Sequence, residues 1–262
     1  MPFFERPSAE IFYQMEGDES APCVTLLNGF SRASGDFRAL ARLLTENGYR
    51  VLRLDNRGAG QTQNAPGFTI SDMVTDVAEL WKHLGVDRSH VLGISYGGVL
   101  SMLLGNQHAD RVASLCLVST TPSSFFLSLD NNLPAQEAAA LEQNLARYFA
   151  PAFAQNNPLL FRSLIKEMAR AFEDPVSLER TRQQRAALNK YDFTALLHGI
   201  RCPTLILHGE EDLVISVDAA EVTHRAIKGS ELVLVPQVGH LFLAESPKVF
   251  YQHVLSFLSR VR

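Results

Sequence analysis

The sequence predicts an α/β protein, a mostly parallel sheet with helices on both faces, and three observations carry that prediction. Short continuous apolar runs such as Cys23–Leu27 and Val112–Val118 read as strands covered on both sides. These runs alternate with amphipathic helical segments along most of the chain, an order that calls for βαβ units. A third run, residues 91–94, passes through Gly93-Ile94-Ser95-Tyr96-Gly97 directly into a helix-like segment at 99–104.

The elements follow in order. Residues 10–15 alternate in polarity and are expected as an early strand, antiparallel at the sheet edge. Cys23–Leu27 leads into an Asn28-Gly29-Phe30 loop and then a helix whose apolar stripe includes Phe37, Leu40, Leu43 and Leu44. Gly48 closes that helix, and 49–54 is the next strand. After the turn Asp55-Asn56-Arg57-Gly58-Ala59-Gly60, Ser71 is expected to open a helix reaching Leu84, with Asp72 in its first turn. Strands at 91–94, Val112–Val118, 204–207 and 232–235 continue the series. A closing helix runs over 247–258, with Pro247 at its first position.

Residues 122–197 break the alternation. They contain no convincing strand, only helix-like stretches at 135–148, 158–172 and 176–189. The segment is too long for a connection, so it is expected to pack as a helical cap on a core made of residues 1–121 and 198–262.

Composition narrows the function. The chain has 262 residues, 46% of them hydrophobic and 20% charged, with a net charge of −4 and no basic run; nucleic acid is an unsuitable partner. No apolar run approaches membrane-spanning length and the start of the chain does not read as a signal peptide, so a soluble cytoplasmic protein is expected. Cys23, Cys116 and Cys202 lie in or beside apolar runs at spacings that suit neither zinc nor a disulfide framework, and read as buried thiols in a reducing compartment. No His-Glu-x-x-His cluster or phosphate loop is present, so neither a metal nor a cofactor is predicted. Oligomeric state is not indicated.

The chemistry starts at Ser95. A serine on a sharp strand-to-helix turn needs small neighbours, and the turn lifts its hydroxyl above the sheet. Serine is a poor nucleophile unless a base takes its proton and an acid orients that base. Of eight histidines, His240 is the candidate base, because it sits in the loop after the last strand, where functional loops of an open sheet gather. His208, at a strand end, is expected to organise its turn, and His198 lies where the cap rejoins the core. His83, His90, His108, His224 and His253 are expected on helix faces or near helix ends. For the acid, Asp212 follows Gly209 on leaving a strand; Glu211 and Asp218 are the alternatives. Asp55-Asn56-Arg57-Gly58 reads as structural, and Gly97-Gly98 as close helix–sheet packing.

Four motifs together resemble the α/β-hydrolase superfamily from Cys23 to the C-terminus: Leu26-Leu27-Asn28-Gly29-Phe30, Asp55-Asn56-Arg57-Gly58-Ala59-Gly60, Gly93-Ile94-Ser95-Tyr96-Gly97-Gly98, and Gly209-Glu210-Glu211-Asp212 with Gly239-His240. The branch it is similar to holds carboxylesterases, enol-lactone hydrolases, C–C bond hydrolases and perhydrolases. The resemblance implies a helical lid after the sixth strand, a Ser95–Asp212–His240 triad in that family's Ser…Asp…His order, and an oxyanion hole from the backbone N–H groups of Phe30 and Tyr96. The family more often has His where Asn28 stands. A serine nucleophile disfavours the chemistry of relatives that use Asp. The expectation is a serine hydrolase of a small ester or lactone acting through an acyl-enzyme. Alternatives are C–C hydrolysis, acyl transfer or peracid formation on the same triad, or a non-catalytic small-molecule receptor. Phe125, Phe126, Phe149, Phe153, Phe161 and Phe172 could line an acyl pocket, though their helical spacing reads rather as cap core.

Overall fold

A computed structural model describes residues 3–127, 138–188 and 191–262. The strands are β1 (Phe3–Arg6), β2 (Ala9–Glu16), β3 (Cys23–Leu27), β4 (Arg50–Leu54), β5 (Gln63–Asn64), β6 (Ser89–Ile94), β7 (Val112–Val118), β8 (Thr204–Gly209) and β9 (Glu231–Val235). The sheet order is β1-β2-β4-β3-β6-β7-β8-β9, with β5 paired to β2. All pairings from β4 to β9 are parallel; β1, β2 and β5 join antiparallel.

Core strands feed both layers by alternation, with β7 out of phase at Val112, where the register against β6 shifts. Val24 and Leu26 of β3 join Leu92 and Ile94 of β6 and Cys116 and Val118 of β7 on one face. There they pack under α1 (Arg38–Glu46) and α10 (Pro247–Arg260). Cys23, Leu27, Val91, Leu115 and Leu117 point the other way, against α2 (Ile70–His83) and α3 (Tyr96–Gln107). These largely apolar strands are thus buried on both sides, as the runs predict.

Two expectations shift. The strand predicted at 10–15 is β2, but β1 pairs outside it and takes the edge. The α2 helix is capped by Thr69, not opened by Ser71: Thr69 is extended (φ −116°), accepts from Asp72 N–H, and donates its own N–H back to Asp72 Oδ2 at 2.7 Å. Thr-x-x-Asp closes a reciprocal capping box and leaves Ser71 inside the first turn.

Between β7 and β8 stand α4 (Ala138–Ala146), α5 (Pro151–Asn156), α6 (Pro158–Glu173) and α7 (Pro175–Ala187). With the two-residue β5 left out, β7 is the sixth strand. The helical stretches predicted at 135–148, 158–172 and 176–189 correspond to α4, α6 and α7; residues 135–137 and 189 of those predictions lie outside the described residues. Phe149 and Phe153 are buried in a cluster of their own with half-buried Phe161 and Phe172 packed against it, whereas Phe125 stands in solvent. After β8 come α8 (Val217–Ala226) and α9 (Phe242–Glu245).

The topology positions a site. The chain crosses from β3 outward to β4, then returns to place β6 on the other side of β3. Loops leaving β3 and β6 therefore diverge at a switch point, the crevice where open α/β sheets bind ligands.

Candidate active site

Ser95 sits at that switch point with φ +52° and ψ −115°, a conformation side chains rarely adopt. Strain of this kind costs of order 1–3 kcal/mol and persists only where surroundings over-determine it. Here the Ser95 N–H donates to Val118 O at 2.8 Å, while Ser95 O accepts from Gly98 N–H at 2.9 Å and from the Thr120 hydroxyl at 2.6 Å. A side chain at Gly97 would collide with Leu27 O, and one at Gly93 with Gly97 O. The bare backbone at both points lets α3 start directly over the sheet, as the Gly-rich motif suggests.

Asp212 and His240 arrive from loops after β8 and β9. The β9 strand lies three places from β6, so its loop must reach back across the sheet end. It does so by lying over Gly209, where any side chain would strike Val238 O, and by accepting the Glu211 N–H at Val238 O, 3.0 Å. His240 Nε2 then stands 3.0 Å from Ser95 Oγ, and its Nδ1 stands 2.8 Å from Asp212 Oδ2. Asp212 Oδ1 accepts the Val214 and Ile215 N–H groups at 2.8 and 2.9 Å. Burial alone would raise the Asp212 carboxyl, but His240, His208 and the backbone donors outweigh it and hold it below its ordinary value.

The structure thus brings the three predicted side chains into one hydrogen-bonded line. An imidazole so held can take the serine proton while the carboxylate faces the charge that forms. Asp218 lies in the first turn of α8, away from this line.

The Asn28–Phe30 loop closes the crevice from the β3 side. Asn28 anchors it: its amide donates to Ala33 O at 2.7 Å and to Asp36 Oδ2 at 2.9 Å, and its Oδ1 accepts the Gly29 N–H at 2.8 Å. Gly29 comes close to Ser95 Cβ. Among the described residues, neither the Phe30 N–H nor the Tyr96 N–H donates a hydrogen bond, so both remain available to an oxygen beside Ser95.

The remaining motif residues are structural. Arg57 makes a two-pronged ion pair with Asp76, at 2.6 and 2.9 Å, and Asp55 accepts the Ser34 and Gln61 N–H groups. His90 is not on a helix. It lies buried in β6, 2.8 Å from Ser114 Oγ, and burial pushes it down to about 4. His208 is fully buried, with Nε2 3.1 Å from Ile215 O, so it ties the turn as expected.

Two seams that sequence reading missed join the helical segment to these loops. Gln184 of α7 accepts the Ser31 N–H at 2.7 Å and donates to Arg57 O at 2.6 Å, while Thr181 meets the Ser31 hydroxyl at 2.9 Å. Near His240, Leu241 N–H donates to Tyr148 O at 3.0 Å, and Tyr148 sets its ring edge-on to His240 at 5.4 Å. Burial pushes the Tyr148 hydroxyl up to about 12. Glu245 accepts both Ala150 N–H, at 2.9 Å, and Gly239 N–H. The sequence carries no local signal for these ties, because α7 is polar along its length and buries only Thr181 and Gln184.

Residues 22–247 match the family model described as alpha/beta hydrolase fold. The chain is 26% identical over 262 residues to the 3-oxoadipate enol-lactonase 1 of Acinetobacter baylyi, covering 98% of this chain and 96% of that protein. It is also 26% identical over 269 residues to the bifunctional esterase/perhydrolase DCH of Acinetobacter calcoaceticus, covering 97% of each. The crystal structure of MGS-M2, an alpha/beta hydrolase enzyme from a Medee basin deep-sea metagenome library, superposes with a TM-score of 0.88. It covers 98% of this chain and 97% of that one at 20% identity, and so speaks for the fold. With a parallel sheet, a helical insertion after the sixth main strand and a family match over residues 22–247, the chain belongs to the α/β-hydrolase fold family.

Proposed function

We propose that the protein is a serine hydrolase of small carboxylic esters or lactones. The observation that carries this reading is the line from Ser95 Oγ through His240 to Asp212, at 3.0 and 2.8 Å. His240 Nε2 takes the Ser95 proton as Oγ bonds to the substrate carbonyl carbon. Asp212 orients the imidazole and faces the imidazolium. The oxyanion is met by the Phe30 and Tyr96 N–H groups, worth about 3 kcal/mol each in comparable sites. His240 returns the proton to the leaving alcohol oxygen, and an acyl-Ser95 ester remains. A water then loses a proton to His240, attacks the ester and releases the acid with Ser95 restored.

Residues 122–197 act as a lid over a core of 1–121 and 198–262, tied to both active loops by the Gln184 side chain and by the Ala150 N–H donated to Glu245. The substrate is a small acyl compound. Two buried thiols and one half-buried thiol suit a reducing, cytoplasmic setting. Among the described residues no helix is long and apolar enough to cross a membrane.

The test is fluorophosphonate labelling followed by peptide mapping, with Ser95→Ala as control. A stoichiometric adduct on Ser95, absent from the variant, is expected; no adduct under conditions that label a known serine hydrolase overturns the reading. The similarity to an esterase/perhydrolase supports a second acceptor. Hydrogen peroxide attacking the same acyl-Ser95 would release a peracid, so peroxide added to an esterase assay should divert product to peracid.

A further inference from the structure

His208 stands behind the triad. It is the fifth residue of β8, fully buried, and its Nε2 lies 3.1 Å from Ile215 O. The same Nε2 leans to 3.4 Å from Asp212 Oδ2, the oxygen that also receives His240 Nδ1. A carbonyl oxygen only accepts, so Nε2 carries the proton. Nδ1 is buried with no hydrogen-bond partner among the described residues. A second proton there would be an unsolvated charge, and burial holds the ring below its ordinary value despite the attraction of Asp212. His208 is therefore neutral, with its N–H donated to Ile215 O and the same nitrogen 3.4 Å from Asp212 Oδ2.

That N–H has two effects. Ile215 is held from both sides, its N–H by Asp212 Oδ1 and its O by His208, which closes the 208–215 turn into a ring around the carboxylate. Asp212 cannot then rotate Oδ2 away from His240 without breaking the ring. The positive end of the N–H dipole also competes with His240 for the charge on Oδ2.

We propose that His208 is a positioning residue for the hydrolytic reaction: by holding Ile215 O with its N–H dipole 3.4 Å from Asp212 Oδ2, it fixes the carboxylate and limits how strongly it holds the His240 proton. The inference rests on the triad proposed above. The other groups facing this pair are Glu245 of α9, Tyr148 before α5 and Ser95. None of them supplies a donor to Asp212.

The experiment compares wild type, His208→Phe and His208→Gln. Phenylalanine keeps a ring but has no N–H; glutamine restores an N–H close to the Nε2 position. The kcat/KM for phenyl acetate is measured against pH, and the His240 ring signals are followed by NMR in the free protein. In His208→Phe the acidic limb of kcat/KM and the His240 titration should both move up by roughly half a unit to one unit, because a carboxylate without that nearby N–H dipole favours the imidazolium. His208→Gln should return both close to wild type. A purely structural role would lower activity without moving either midpoint.

An unchanged His240 titration in folded His208→Phe, or a glutamine variant that behaves like phenylalanine, overturns the inference. Should His208→Phe fail to fold, His208→Asn, whose shorter amide cannot reach Asp212, takes its place with the same expectations. A wild type inert to phenyl acetate would count against the esterase reading, and the NMR titration would still decide the role of His208.

Discussion

The sheet end and the helical segment above it reach the same crevice by opposite means. Ser95 and Asp212 follow β6 and β8, buried at every position, and His240 follows the half-buried β9; backbone bonds hold Ser95 and Asp212, and the Gly239 and Leu241 N–H groups hold the His240 loop. The helical segment has its own small apolar cluster, and side chains tie it to the core at two seams, one on the oxyanion-side loop and one on the His240 loop. Geometry in the first region is over-determined, so changes there should destroy either chemistry or fold. In the second, a few polar ties carry the coupling, so changes should tune activity at little cost in stability.

The largest effect expected is at Asp212→Asn. The amide keeps an oxygen for the Val214 and Ile215 N–H groups, so the fold should survive. The side chain facing His240 no longer fixes its tautomer, and kcat/KM should fall by about 10⁴-fold. Steady-state kinetics beside a urea melt checks this; a large loss of stability would mean that chemistry and fold are not separable at the sheet end.

Gly97→Ala tests the opposite arm. Its methyl would meet the backbone oxygen of Leu27, which has no room to move between paired strands. Stability should drop by about 3 kcal/mol or more, since backbone overlap cannot be relieved by a rotamer change. A chemical melt within about 1 kcal/mol of wild type would refute the tight helix–sheet approach.

His90 adds a pH dependence confined to the core. Burial lowers its folded value from 6.5 to about 4, with Arg88 and Arg262 acting the same way. Between those values the unfolded chain binds a proton that the folded one refuses, so the contribution is present above 6.5 and lost as pH falls towards 4. The loss sums to roughly 3 kcal/mol at 1.36 kcal/mol per unit. Melts from pH 7 to pH 4 should show wild type weakening more steeply than His90→Gln, and parallel curves would place the acid sensitivity elsewhere.

What could be read from the sequence follows the same division. The doubly covered strands announce themselves as runs like Cys23–Leu27, and Ser95 announces itself because a strained turn demands glycines at 93 and 97. β1 was illegible: four residues, Phe3–Arg6, carry too little pattern to reveal an edge strand. α8 hid because it buries Ala219, Ala220 and Ala226 rather than large apolar side chains. His90 looked like a helix-end residue because nothing local predicts Ser114, 24 positions away. Arg57 needed Asp76, and Gln184 needed Ser31, a partner 153 positions away. Local pattern encodes backbone and burial, whereas polar partners across such distances are decided only by how the layers meet.

Gln184 gives the smallest effect and the sharpest test of the comparison. Its amide is fully buried and satisfied at both ends, by Ser31 N–H and Arg57 O, and Phe30 of the oxyanion-side loop precedes Ser31. Gln184→Leu keeps the volume but leaves both backbone groups unpaired, which costs about 1–3 kcal/mol for each buried group that finds no water. The cost falls on an interface between lid and loop, so it should appear as a loosened loop more than as a lower melting point. A proposed oxyanion donor on that loop then meets the transition state less well than it meets the substrate. The kcat for phenyl acetate should fall about tenfold with KM changed less, because only an interaction gained in the transition state lowers kcat. If kcat holds and the melting point drops instead, α7 is part of the core's stability, and the division between a rigid sheet end and a tuning lid fails at this seam.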